Sequence, residues 1–172
     1  GVRIGPPAVT TRGLVEEDMV ELAERLDEEK TAFSDAAKEE LRLLCGAVDE
    51  ILGITVEAFA TNDNELAKTI EPLEETIDDM VLLLRDRHTK RLKTGACSIS
   101  SGLVVMEVLT HLERASDQCS SIAMMMLSRN IEAILQNHHN YLREVHEGND
   151  NNYRAERNRR REQYLSPLKE IQ

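Results

Sequence analysis

Three runs of apolar residues, each stepped alternately by four and three positions, constrain this chain more than any other feature. Such stepping puts the apolar side chains on one stripe of a helix and leaves the opposite face polar. The first run is Ala37, Leu41, Leu44, Val48, Ile51, Thr55 and Ala58. The second is Leu66, Ile70, Leu73, Ile77, Met80 and Leu84, continuing to about Leu92. The third is Val105, Leu109, Leu112, Ser116, Cys119, Ala123 and Met126. Val, Ile and Thr occur in these runs, but never in the alternation a strand requires. The connectors, Thr61–Asn64 and Lys93–Cys97, are short. Long amphipathic helices so joined bury their stripes by packing antiparallel. The expected fold is all-α: an antiparallel three-helix bundle with an additional C-terminal helix.

Local signals mark the ends. Ser34 stands three residues before Ala37, with Asp35 in the first turn, a sound N-cap. Gly95 marks the break between the second and third helices. A weaker series follows at Ile131, Leu135, His138, Leu142 and Val145, and Gly148–Asn152 reads as a turn or linker after it. The Arg-rich piece beyond reads as a short exposed helix ending before Pro167. The N-terminus differs. Gly1–Gly13, with three glycines and Pro6-Pro7, reads as extended or loop. Val15, Met19, Leu22 and Leu26 then predict a short amphipathic helix with Glu16, Glu17 and Asp18 in its first turn. The composition shifts near Ala32–Phe33, so residues 1–32 are expected to form an extension and residues 33–168 the bundle.

Composition narrows the function. At 172 residues the chain suits one domain, and its net charge of −11 argues against a nucleic-acid binder that works by neutralising phosphates. One local exception is the basic run Arg154, Arg157, Arg159, Arg160 and Arg161, which suits an anionic membrane surface, an acidic partner or a solvated helix face. Cys45, Cys97 and Cys119 are odd in number and lack C-x-x-C spacing, which fits a reducing compartment. Apolar stretches such as Ile122–Leu127 fall far short of the roughly 20 residues a membrane span needs, and no signal peptide is visible. The expectation is a soluble cytoplasmic protein, with homo-oligomers compatible. No nucleophile stands with its base, and neither phosphate-binding glycine motif is present, so catalysis is not supported.

The candidate site is a pair of matched acidic turns, Glu74-x-x-x-Asp78 and Glu113-x-x-x-Asp117. Four-residue spacing stacks the carboxylates of each pair on one helix face. Leu73 and Leu112 occupy equivalent seam positions, so both turns flank the seam between neighbouring helices. Depth agrees as well. Glu74 is 21 residues before Gly95 and Asp117 is 22 after it; Asp78 is 17 before and Glu113 18 after. With equal rise per residue, Glu74 sits level with Asp117 and Asp78 with Glu113. Four carboxylates are therefore expected on one edge of the bundle. Their charge calls for a metal ion, for water, or for a basic side chain such as Arg85, Arg114 or Lys68. Elsewhere His111 reads as a polar helix position, His138 with His146 as a half-buried packing pair or a weak metal site, and Met124–Met126 as core filler.

The stretches Glu71–Asp78 (EPLEETID), Leu112–Asp117 (LERASD) and Cys119–Ala123 (CSSIA) resemble the PhoU family. The likeness extends through Arg87-His88, Arg91-Leu92, Gly95, Cys97-Ser98 and Tyr141–Glu144, and looks like the C-terminal PhoU-type domain of bacterial sodium–phosphate cotransporters. It covers roughly Phe33 to Leu168. The resemblance implies a cytoplasmic regulatory domain, peripheral to the inner face of the membrane, whose partner is a transporter domain or another phosphate-uptake component. It also implies multinuclear iron or zinc at the acidic turns, with Glu74, Asp78, Glu113 and Asp117 as ligands. The chain departs from the family in showing one bundle where complete members have two, and in carrying Gln118 where His is common.

Gly1–Gly13 (GVRIGPPAVTTRG), continuing weakly to Met19, is similar to a segment of serine hydroxymethyltransferase in which the arginine matching Arg3 binds the substrate carboxylate. Pro6 stands in place of the usual Thr, and the lysine that anchors pyridoxal phosphate in that family is missing. No pyridoxal phosphate is expected, and the segment reads as a fused or truncated remnant.

Overall fold

The computed structural model describes residues 34–130 and 151–171. The N-terminal amphipathic segment, the serine hydroxymethyltransferase-like stretch and the weak series from Ile131 to Val145 lie outside the described residues. Helix α1 spans Asp35–Thr61, a single helical turn α2 spans Asn64–Ala67, and α3 spans Ile70–Lys93. Helix α4 spans Ile99–Asn130, and the C-terminal segment comprises α5 (Asn151–Arg160), a π-helical stretch (Arg161–Leu165) and α6 (Ser166–Glu170). There is no strand among the described residues.

The caps are local chemistry. Ser34 Oγ accepts from the Ala37 N–H at 3.2 Å and so starts α1. Asn62, in the left-handed region at φ 54°, ends it, while the Asp63 N–H returns to the Ala58 carbonyl. Helix α3 closes the same way: Gly95 at φ 70° lets the Ala96 N–H reach the Arg91 carbonyl at 2.9 Å.

The second run is not one helix. It breaks at Lys68–Thr69, between α2 and α3, because of Pro72. In a continuous helix the Pro72 ring would strike the Lys68 carbonyl, and proline is tolerated only in a first turn. The chain restarts at Ile70, and Asp63 Oδ1 caps the preceding turn through the Glu65 and Leu66 N–H groups.

The three stripes meet in one core, with Leu44, Ile51, Ile70, Leu73, Ile77 and Leu109 fully buried. Cross-helix pairs show the antiparallel order. Glu40, early in α1, meets Arg87 and Arg91, late in α3; Glu71, early in α3, accepts from Ser120, late in α4. Helices α1 and α4 therefore run in the same direction, and Thr55 of α1 lies against the Cys119 thiol of α4.

The C-terminal segment fills the groove between α1 and α3, and it is not the exposed helix expected. Arg157 pairs with Glu75 at 2.6 Å and Arg161 with Asp79 at 3.1 Å, one turn apart along α3. Arg160, only 3% exposed, pairs with Glu50 of α1, which also accepts from Tyr164 and from Gln163 at 3.0 Å. Arg87 donates to the Leu168 and Lys169 carbonyls at 2.9 and 3.1 Å. Asn151 and Asn152, expected in a linker, already belong to α5. Pro167 does not end the helix either. The ladder widens to a π turn just before it, with the Ser166 N–H reaching back to Arg161, and the chain continues with Leu165 and Leu168 buried.

Candidate functional site: an acidic groove between two helices

Helices α3 and α4 bring three of the four expected carboxylates together. One oxygen each from Glu74, Asp78 and Asp117 can be chosen so that all lie within 4.8 Å of one another. Glu74 is half-buried, and Asp78 and Asp117 are exposed. Their convergence follows from the seam register and from the equal distances to the Gly95 connector.

Glu113 is near but differently employed. Arg85 of α3 grips it in a fork, Nη1 to Oε1 at 3.2 Å and Nη2 to Oε2 at 2.6 Å, and Arg85 Nη2 also donates to Thr110 Oγ1. A bidentate guanidinium satisfies both oxygens at once. The sequence left metal, water or a basic side chain open for the acidic turns. Glu113 takes the basic side chain, and among the described residues no ion pair engages Glu74, Asp78 or Asp117.

Crowding shows in the proton affinities. Burial pushes the Glu74 carboxyl up to about 9, and the charges of Glu71, Asp78, Asp117 and Glu75 add to it. Asp78 is pushed up to about 6, by burial first and then by Asp117, Glu113, Asp79 and Glu71. Asp117 is raised by burial and by Glu113, against a hydrogen bond from Glu74 and the charge of Arg114. Like charges forced together and partly dehydrated hold protons more tightly. At neutral pH Glu74 is thus a protonated acid facing Asp117, a pair that shares one proton.

Glu71 was missed as part of this field. It lies one turn before Glu74, accepts from Ser120 of α4 and raises both Glu74 and Asp78. Its three-residue spacing from Glu74 was the available signal. The arrangement can hold a proton or a cation; no nucleophile stands beside it. His111 sits off this edge, 3.8 Å from Glu107 on its own helix.

The profile of the PhoU domain family matches residues 41–126, half of the chain, from the first third of α1 through nearly all of α4. Both acidic turns fall inside the match. No solved structure matches the chain. With an all-helical bundle whose second and third long helices carry the paired acidic turns, this chain belongs to the PhoU domain family.

Proposed function

We propose that this chain is a regulatory domain of phosphate homeostasis that works by protein contact, in association with sodium-dependent phosphate transport. The PhoU match across α1, α3 and α4 carries the regulatory reading. The link to a sodium–phosphate cotransporter rests on the longer likeness through Arg87-His88, Gly95 and Cys97-Ser98. No helix among the described residues is long and apolar enough to cross a membrane, so any transport role of this part of the chain runs through a partner. Exposed Arg154 and Arg159 at the C-terminal segment are where an anionic membrane surface would meet it. The test is sodium-dependent uptake of labelled phosphate in cells carrying such a transporter, with and without the chain. A change in uptake together with co-purification is expected. Unchanged uptake without co-purification sinks the proposal.

A second reading is a metal-binding role, favoured by the Glu74, Asp78 and Asp117 oxygens converging within 4.8 Å. The donor set fits a hard cation: all ligands are carboxylate oxygens, and crowding has already raised their proton affinity. Iron suits such oxygens, while zinc more often takes His or Cys with them. Glu113 would join as a fourth ligand only by leaving Arg85. A bound cation would let an acidic edge attract phosphate. Metal content of protein prepared without chelator, compared with a Glu74→Gln/Asp117→Asn variant, decides it. Stoichiometric metal lost in the variant is expected; equal trace amounts in both would leave the groove to protons alone.

A further inference from the structure

The triangular bundle has three outer grooves, each with its own chemistry. The C-terminal segment fills the α1/α3 groove, and the α3/α4 groove is acidic. The α1/α4 groove is apolar and open among the described residues. Its α1 wall carries Leu52, Val56 and Phe59, exposed by 42, 67 and 60%, in the same four-then-three rhythm as the core stripe. At about 100° per residue these side chains lie on the α4 side of α1, next to Thr55 and away from Glu50. Helix α4 adds the half-buried Val108 and Ile122.

We infer that residues 14–31 of this same chain dock in that groove as a fourth helix. Chain ends favour this occupant. The segment joins α1 directly at Ser34, so a single pass runs back along α1, antiparallel to both walls. Residues 131–150, by contrast, leave α4 and re-enter at Asn151 at the same end of the bundle, so any path down the groove would have to return. The pattern favours it too, because Val15, Met19, Leu22 and Leu26 give an apolar stripe of matching rhythm. Charge agrees: in an antiparallel hairpin Glu24 and Asp27 come level with Lys38 and Arg42, both exposed on α1. Reach is sufficient. Eighteen helical residues span about 27 Å, to the level of Leu52, and thirteen more at about 3.3 Å each in extended form pass Phe59. A tethered segment also meets the groove at a far higher effective concentration than a second copy does. The inference is independent of the regulatory and metal readings.

The exposed native thiol of Cys45 tests it, because Met19 comes level with Cys45 in this arrangement. Met19→Cys and Glu17→Cys, on opposite faces of the segment, are made in the full chain and oxidised mildly, and the products are mapped by peptide mass. An intramolecular 19–45 disulfide forming about tenfold faster than the 17–45 product is expected. Should Met19→Cys impair folding, Leu22→Cys serves in its place. A Cys45-linked dimer as main product would give the groove to a second copy and overturn the inference. Equal rates at 17 and 19, or no linkage to Cys45, would overturn it as well.

Discussion

Glu40 shows how a single residue can ignore the pattern around it. It sits on the buried face of α1, 2% exposed, between Ala37 and Leu44 of the apolar run. Both oxygens are satisfied, by Arg87 Nη1 at 2.8 Å and Arg91 Nη2 at 2.5 Å, and Arg87 passes the connection on to the C-terminal carbonyls. A buried charge persists only when paired and fully hydrogen-bonded. Arg87→Ala strands half of that carboxylate and frees two carbonyls; a loss of about 2–3 kcal/mol is expected by urea denaturation. Glu40→Ala should cost less, since both arginines are about one-fifth exposed and can rehydrate. Comparable losses in the two variants would contradict this account. Periodicity could not have found Glu40, because its partners lie 47 and 51 residues away.

At the scale of elements, the C-terminal segment is held by polar anchors as much as by apolar ones. Glu50 gathers Arg160, Gln163 and Tyr164, and it keeps Tyr164 protonated, pushing that phenol up to about 12 after burial has begun the shift. In Glu50→Ala, Arg160 keeps only Glu156 while it is almost fully buried. Faster hydrogen exchange confined to residues 151–171, with α3 and α4 unchanged, is the expected result. Leu168→Ala, at a fully buried site, should destabilise by about 2–5 kcal/mol and accelerate exchange in the same segment. Global unfolding without this local signature would mean that the segment belongs to the core rather than lying over it. The helices α1, α3 and α4 were legible because an apolar stripe and its caps are local properties. The burial of the basic run was not, since Arg157, Arg160 and Arg161 look alike in sequence to solvated arginines. Their acidic partners Glu75, Glu50 and Asp79 sit on two different helices, and only packing brings them within reach.

For the molecule as a whole, two groups set opposing pH slopes. Glu74 holds its proton up to about 9 when folded and gives it up near 4.5 when unfolded. The folded state therefore binds more protons between those values, and Glu74's contribution to stability falls as pH rises through the window. His88 acts in the opposite sense. It is 3% exposed with neither ring nitrogen hydrogen-bonded, and burial first, then the charge of Arg91, lowers its pKa below 6.5, against Glu40. The unfolded state then binds protons more readily, so stability falls as pH drops below about 6.5. Denaturation midpoints should decline from pH 7 to 9, and Glu74→Gln should flatten that decline. His88→Leu should soften the acid-side loss. Midpoints in Glu74→Gln that track the parent across the alkaline range would remove the shared-proton account of the groove.

The acidic turns divide what the sequence could determine from what it could not. Facing of Glu74, Asp78, Glu113 and Asp117 across one seam follows from helical rise and from distance to Gly95, quantities that each helix carries by itself. Helix boundaries, the stop at Asn62 and the turn at Gly95 are of the same kind, fixed by backbone sterics over a few residues. Which carboxylate receives an arginine, which keeps a proton and which groove stays open were decided only by the tertiary structure. Those outcomes depend on desolvation and on charges brought close from distant parts of the chain. Coulombic and solvation energies follow separation in space, and sequence spacing is silent about that beyond a single helix.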